Sequence, residues 1–298
     1  MNYAIHTENL TKRFGNLAAI DGLDLQVPKG AVYALVGPNG AGKTTTLKLL
    51  MNILSATRGR AEVLDVESTR LSPSEFSQIG YVSENQELPG WMTVKYFLAY
   101  LKPFYATWDD ARAEELLRQF DLPLNSRLAN LSRGMRAKAA LASSLAYRPR
   151  LLVLDEPFSG LDALVRDELI GALLESADEA TVLVSSHDLS EIESFASHVG
   201  YLERGRLQFS EEMGSLTFRF RAVEVTLPHH PSLPVESPST WLGMETSAGV
   251  VRFVETDYDQ ARTRNEVRRL FGDVQVSVSP MSLREIFVAL AMAGRKAA

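Results

Sequence analysis

None of the 298 residues is cysteine, so disulfides and thiolate-held metals are excluded. No apolar stretch reaches the ~18 residues needed to cross a bilayer. The opening "MNYAIHTENLTKRFG" also lacks an apolar core of signal-peptide length. A chain of this kind that works at a membrane is expected to dock there through a partner. Basic excess is missing too: 31 Lys and Arg stand against 37 Asp and Glu, a net charge of −6. Nonspecific binding to nucleic acid comes mainly from basic side chains neutralising phosphates, so that class is disfavoured. Neither an internal repeat nor a low-complexity tract is present.

What is there reads as globular. The chain is 45% hydrophobic and 23% charged, and long enough for one large domain and a smaller one. The runs "AVYALV" (31–36), "RLLVLDEP" (150–157) and "TVLVSSHD" (181–188) are apolar until their polar ends. Uninterrupted apolar strands suit a parallel sheet covered on both faces. Helical spacing fills the intervals, over 133–147 and about 163–176, which predicts a doubly wound α/β fold with ligands at the carboxyl ends of the strands. Residues 90–130 read instead as a helical insertion, with a capping-box start at Thr107 and Asp110. This stretch is aromatic: Trp91, Tyr96, Phe97, Tyr100, Phe104, Tyr105 and Trp108 crowd into it. Beyond about 214 the texture becomes α+β, with a Pro/Ser-rich loop at 228–240 between strand-like "AVEVTL" and "VVRFVE". A helix around 259–271, a strand "VQVSVS" and a capped helix from Ser282 to Met292 follow. Residues 215–298 carry ten basic and nine acidic side chains, so the acidic excess lies before them. The expected division is 1–214 and 215–298.

The sharpest motif is "GPNGAGKT", which matches G-x-x-x-x-G-K-[ST] between a strand and a helix. In such a loop the glycines Gly37, Gly40 and Gly42 let backbone N–H groups turn in on the β- and γ-phosphates, with Pro38, Asn39 and Ala41 completing the loop. Lys43 adds a point charge, and the Thr44 hydroxyl is placed to ligate Mg²⁺. The motif implies that the chain binds a nucleoside triphosphate. "LLVLDEP" ends an apolar strand in two acids. Alone, such a pair more often caps a helix. Beside a phosphate loop, Asp155 suits a Mg²⁺ partner and Glu156 a base or water-orienting group. A second anion site is suggested by "LSRGMRAK" (131–138), where Ser132 caps a run of good helix formers.

In this order, "GPNGAGKT", "LSRGM", "LLVLDEP", "SGLD" and a lone histidine after a strand resemble the ATP-binding cassette (ABC) family, over roughly residues 3–213. The resemblance implies a P-loop NTPase fold of the ABC-ATPase kind, with a helical subdomain at about 88–147 and a small accessory C-terminal α+β domain. It also implies ATP and Mg²⁺ as cofactors, with ATP bound by residues 37–45, Thr45 included. Phe14 matches the aromatic on which the family stacks adenine, although a lone strand aromatic is commonly core. His187 in "SSHD" matches the histidine that contacts the γ-phosphate, while His6, His198 and the solvated-looking pair His229–His230 match nothing. Asp162 of "SGLD" matches a residue that crosses to a partner subunit; the plainer reading is a turn.

Two places depart from the family. Where it usually has Gln after the strand equivalent to "IGYV", this chain has "SENQ". That puts Glu84 at the metal- and water-contacting position, with Gln86 as the alternative. The commonest signature is L-S-G-G-Q; here Ser132 and Gly134 are retained, and Arg133 and Met135 replace Gly and Gln. Ser at a cap and Gly at a close approach are what phosphate contact demands. Nothing in the sequence accounts for Arg133 or Met135.

The resemblance further implies a head-to-tail dimer, homomeric or with a related ATPase subunit, with two ATPs at the interface. Each would be held by 37–45 of one chain and capped by Ser132 and Gly134 of the other. Glu156 would be the base, Thr44 and Asp155 would hold Mg²⁺, and Lys43 and His187 would stabilise γ-phosphate charge. A separate transmembrane permease is implied, received on the aromatic 91–108 stretch, and this places the chain at the cytoplasmic face of the membrane. The tail "SLREIFVALAMAGRKAA" resembles that of bacterial exporter-type ATPases, so export is expected, with no nucleic-acid partner. Two alternatives stay open: a non-transport ABC ATPase on ribosomes or DNA, and a weakly hydrolysing regulatory subunit.

Overall fold

The structure is a computed structural model that describes residues 2–84, 86–177, 179–227 and 236–297. Two compact units emerge: Met1–Asp188 with Phe195–Ser210, and Leu189–Ser194 with Glu211–Ala298.

Apolar side chains on both faces set the centre of the first unit. Every residue of the strands Val32–Val36, Leu151–Asp155 and Thr181–Ser186 is buried, as a sheet covered on both sides requires. They belong to a six-stranded sheet ordered Arg206–Glu212, His198–Glu203, Val32–Val36, Thr181–Ser186, Leu151–Asp155, Ile79–Val82. The four pairings from His198–Glu203 to Ile79–Val82 are parallel. Register pairs Val36 with Ser186 and Asp155 with Ser185, so three neighbouring strands end side by side. That shared carboxyl edge is where an open α/β sheet holds its ligands.

A second, antiparallel sheet is built on the long strand Tyr3–Phe14, which pairs with Leu17–Leu23, Gln26–Pro28 and Arg58–Val63. The sequence shows only scattered short β runs here. One core joins the two sheets, with Ile5, Leu10 and Val63 packed into the same cluster as Leu35, Leu47 and Val153.

The insertion is helical, with helices Val94–Leu101, Asp110–Gln119 and Arg133–Leu145. Its expected capping box at Thr107 and Asp110 does not form. Asp109 is the cap, accepting from the Arg112 amide at 3.0 Å, while the Thr107 hydroxyl donates to the Tyr147 carbonyl at 2.6 Å. Asp109 has the advantage because a carboxylate suits a helix start and Arg148 already holds it at 2.8 Å. The aromatic stretch divides: Phe97 is buried and Tyr105 stacks on Tyr147 at 3.8 Å, whereas Trp91, Tyr96, Tyr100 and Phe104 are exposed.

In the second unit an antiparallel sheet runs Trp241–Ser247, Val250–Glu255, Arg221–Thr226, Gln275–Pro280. The helices Gln260–Phe271 and Leu283–Ala297 accompany it. Trp241–Ser247 is a strand the sequence reading lacks. Its register is broken between Leu242 and Glu245, with Gly243 at a φ of 63°, which spoils the period-two pattern. The pair His229–His230 lies outside the described residues. Glu255 is fully buried and accepts from Trp241 Nε1 at 2.9 Å, the Thr263 hydroxyl at 3.2 Å and the Asp257 amide at 3.2 Å. Glu255→Ala strands these donors in a dry place. Urea unfolding followed by tryptophan fluorescence should show a loss of about 2–4 kcal/mol.

Candidate nucleotide-binding site

Val32–Val36 ends in Gly37, and the chain turns through 37–42 into the helix Lys43–Leu50. Glycine is required twice on the way. A Cβ at Gly37 would fall 2.1 Å from the Leu202 carbonyl oxygen. Gly42 stands at a φ of 108°, and a Cβ there would be 2.6 Å from the Ala19 carbonyl. Asn39, Gly40, Ala41, Gly42, Lys43, Thr44 and Thr45 line a cavity of 750 Å³. Gly37 and Pro38 lie behind it, their carbonyls accepting from Lys43 Nζ at 2.7 and 3.3 Å.

The adjoining strand ends supply the acids. Asp155, 2% exposed, accepts on Oδ1 from the Thr44 hydroxyl at 3.0 Å and the Ser185 hydroxyl at 2.7 Å. Glu156 adopts a left-handed backbone, φ 49°, which costs a residue with a Cβ about 1–2 kcal/mol. Its amide donates to Ser185 Oγ at 3.0 Å. The carboxylate lies with Oε1 3.1 Å from Lys43 Nζ and Oε2 2.8 Å from His187 Nδ1. Cation, carboxylate and imidazole thus form one connected row at the rim of the cavity that all three line.

Comparison with known proteins identifies the family. The ABC transporter family profile covers residues 20–159. The bacitracin transport ATP-binding protein BcrA of Enterococcus faecalis is 32% identical over 279 residues, 91% of this chain and 89% of that one. The chain belongs to the ABC transporter family. It is an ATP-binding subunit of that family. The daunorubicin resistance ATP-binding protein DrrA2 of Streptomyces coeruleorubidus is 36% identical over 215 residues, 68% of this chain and 65% of that one. A solved ATP-binding subunit of an ABC transporter superposes with a TM-score of 0.66 at 26% identity, over 72% of this chain and 92% of that one.

The remaining expected residues of the cassette fall in distinct places. Glu84 lines the nucleotide cavity, while Gln86 lines an adjoining cavity of 410 Å³ that shares Glu84, Glu156 and Ser159 with the first. Phe14 is half-exposed with Lys12 Nζ 5.0 Å above its ring; its cross-strand partner Leu17 is the one lining the cavity. Ser132 caps the signature helix, accepting from the Met135 amide at 3.2 Å. None of Ser132, Arg133, Gly134 and Met135 lines the chain's own nucleotide cavity. Asp162 is exposed and accepts from the Val165 amide at 3.0 Å.

Sequence reasoning passed over Ser185, Ser159, Leu17 and Arg204. Ser185 had a signal, the first polar residue closing an apolar strand. Arg204 had none, because a hairpin turn brings it in from a distant strand. Ser185→Ala removes the hydroxyl that joins Asp155 to the Glu156 amide. The kcat of ATP hydrolysis should fall roughly tenfold, about 1.4 kcal/mol of barrier, with ATP affinity little changed. An unaltered kcat would mean that Ser185 does not position Glu156.

Proposed function

We propose that the chain is the motor subunit of an exporter, working at the cytoplasmic face of a membrane on a separate transmembrane permease. The observation that carries the mechanism is the position of Glu156. Its carboxylate is engaged by Lys43 at 3.1 Å and by His187 at 2.8 Å. An incoming γ-phosphate competes for the Lys43 ammonium, which frees Oε1 to accept a proton from water. Lys43 and His187 then face the charge that develops on the phosphoryl oxygens. The all-oxygen set of Thr44, Asp155 and Glu84 suits a hard cation, and these residues would hold Mg²⁺, whose charge offsets that of the β- and γ-phosphates. Among the described residues no three His, Asp or Glu converge as a ready-made cage.

The signature residues do not line the nucleotide cavity of their own chain, and this supports a head-to-tail dimer in which they meet the phosphate of a second chain, a copy or a related ATPase. Four exposed aromatics, Trp91, Tyr96, Tyr100 and Phe104, offer the anchors a permease would dock on. Export is favoured because one relative is named for daunorubicin resistance, and because BcrA aligns through the C-terminal unit as well as the cassette.

Glu156→Gln should bind ATP and form a stable dimer while losing at least about a hundredfold in hydrolysis. Light scattering that shows only monomer at saturating ATP and Mg²⁺ overturns the two-chain site. Ser132→Arg should leave ATP binding to the monomer intact and abolish hydrolysis. If monomer binding is lost as well, Ser132 belongs to its own chain's pocket. Mild detergent extraction should co-purify a multi-spanning membrane protein; sedimentation with ribosomes instead would reject the transport role.

A further inference from the structure

Three contacts tie the start of the signature helix to the segment that follows Glu156. Lys138, buried, pairs with Glu168. Gly134 faces Val165, whose Cγ2 is 3.1 Å from where a glycine Cβ would be. Nearest the helix start, the Arg133 guanidinium covers Gly160: a Cβ there would fall 2.4 Å from Nη1 and 2.9 Å from Cζ. The first two contacts reach the helix Ala163–Ala177. Of the three, only Arg133 reaches the loop 159–162 ahead of it.

At its far end that loop is anchored by Asp162, which accepts from the Val165 amide at 3.0 Å on its side chain and from the Arg166 amide at 3.1 Å on its carbonyl. Its turn is closed by the Ser159 amide on the Glu156 carbonyl at 3.2 Å and the Leu161 amide on the Phe158 carbonyl at 3.1 Å. Gly160 itself stands at a φ of 65° and presents a bare Cα. Arg133 makes no hydrogen bond or ion pair among the described residues; it lines the 410 Å³ cavity that Glu84, Glu87 and Glu156 also line, and its Nη1, Cζ and Nη2 all lie within 3.3 Å of where a Gly160 Cβ would be. A planar guanidinium can lie flat on a peptide where an ammonium cannot.

We propose that Arg133 is a positioning residue that braces the Gly160 loop against the start of the signature helix. Ser132, Gly134 and Asp162 then present to the neighbouring chain as one rigid body. The role rests on the two-chain site proposed above. It gives a reason for Arg at a place where the family's commonest residue is Gly: with Gly at 133, two bare glycines would face each other and leave Gly160 uncovered. Because the loop begins three residues after Glu156, the brace also steadies the base from its downstream side.

Two measurements on the full chain separate this role from the reading it rests on. In nucleotide-free Arg133→Gly, the amides of 159–162 should exchange hydrogen roughly tenfold faster, while those of Ala163–Ala177 keep their rates. Arg133→Lys should behave like Arg133→Gly, because it keeps the charge and loses the plane. In the Glu156→Gln background, Arg133→Gly should raise the ATP needed for half-maximal dimerisation by about three- to tenfold, the cost of ordering a loose loop on association. ATP affinity of the monomer should not move, and in the wild-type background KM should rise by more than kcat falls. Unchanged exchange in Arg133→Gly overturns the brace, and so does full rescue of both readouts by Lys, which would assign the role to charge. If Glu156→Gln never dimerises, the two-chain site falls, and the exchange rates still decide the brace.

Discussion

Lys43 and Glu156 meet at 3.1 Å with side chains 6% and 10% exposed, nearly out of water. An enclosed ion pair contributes little to stability, because desolvating both groups offsets most of their attraction. Retaining it makes sense where a third charged group is to enter and redistribute the pair. The rest of the cassette serves to bring these two residues together. Val32–Val36 delivers Lys43 by way of the glycine turn, and Leu151–Asp155, two strands away in the sheet, delivers Glu156. The strand between them, Thr181–Ser186, supplies Ser185 and then His187.

Two neighbouring carboxylates acquire different work from this frame. Asp155 still belongs to the strand, is buried, and accepts two hydroxyls on one oxygen. Glu156 leaves the strand through a left-handed turn whose amide is caught by Ser185, and this swings its side chain over the phosphate loop. The same serine therefore holds both acids, one by its carboxylate and the other by its backbone amide. Such a division follows from backbone direction at the strand end, since the two side chains are otherwise chemically alike.

Outside the cavity, the signature helix and the 159–168 segment form a second construction, fastened by Lys138–Glu168, Gly134–Val165 and Arg133–Gly160. Its polar end, with Ser132 capping and Asp162 exposed, offers groups for which the cassette's own cavity has no use. On the function proposed above, these groups serve the nucleotide of a second chain.

How much of this was legible in the sequence depended on whether spacing carried the information. Gly37–Thr44, the acidic pair 155–156 and the Ser132 cap are local patterns, fixed by what a phosphate or a helix start demands of consecutive residues, and they could be read directly. The apolar strands could be read as well, since burial on both faces leaves no polar alternation. The cap at Asp109 in place of Thr107, and the strand Trp241–Ser247 with its broken register, were hidden because a distant arginine decided one and a bulge disguised the other. The sequence by itself determined the phosphate-loop pattern, the acidic pair that closes its strand and the Ser132 cap. Only the tertiary structure decided that Glu156 rests on Lys43 and His187, that Leu17 in place of Phe14 lines the cavity, and that Arg133 lies on Gly160. Each of those contacts joins residues far apart along the chain, and strand order and backbone direction set such distances where local spacing cannot.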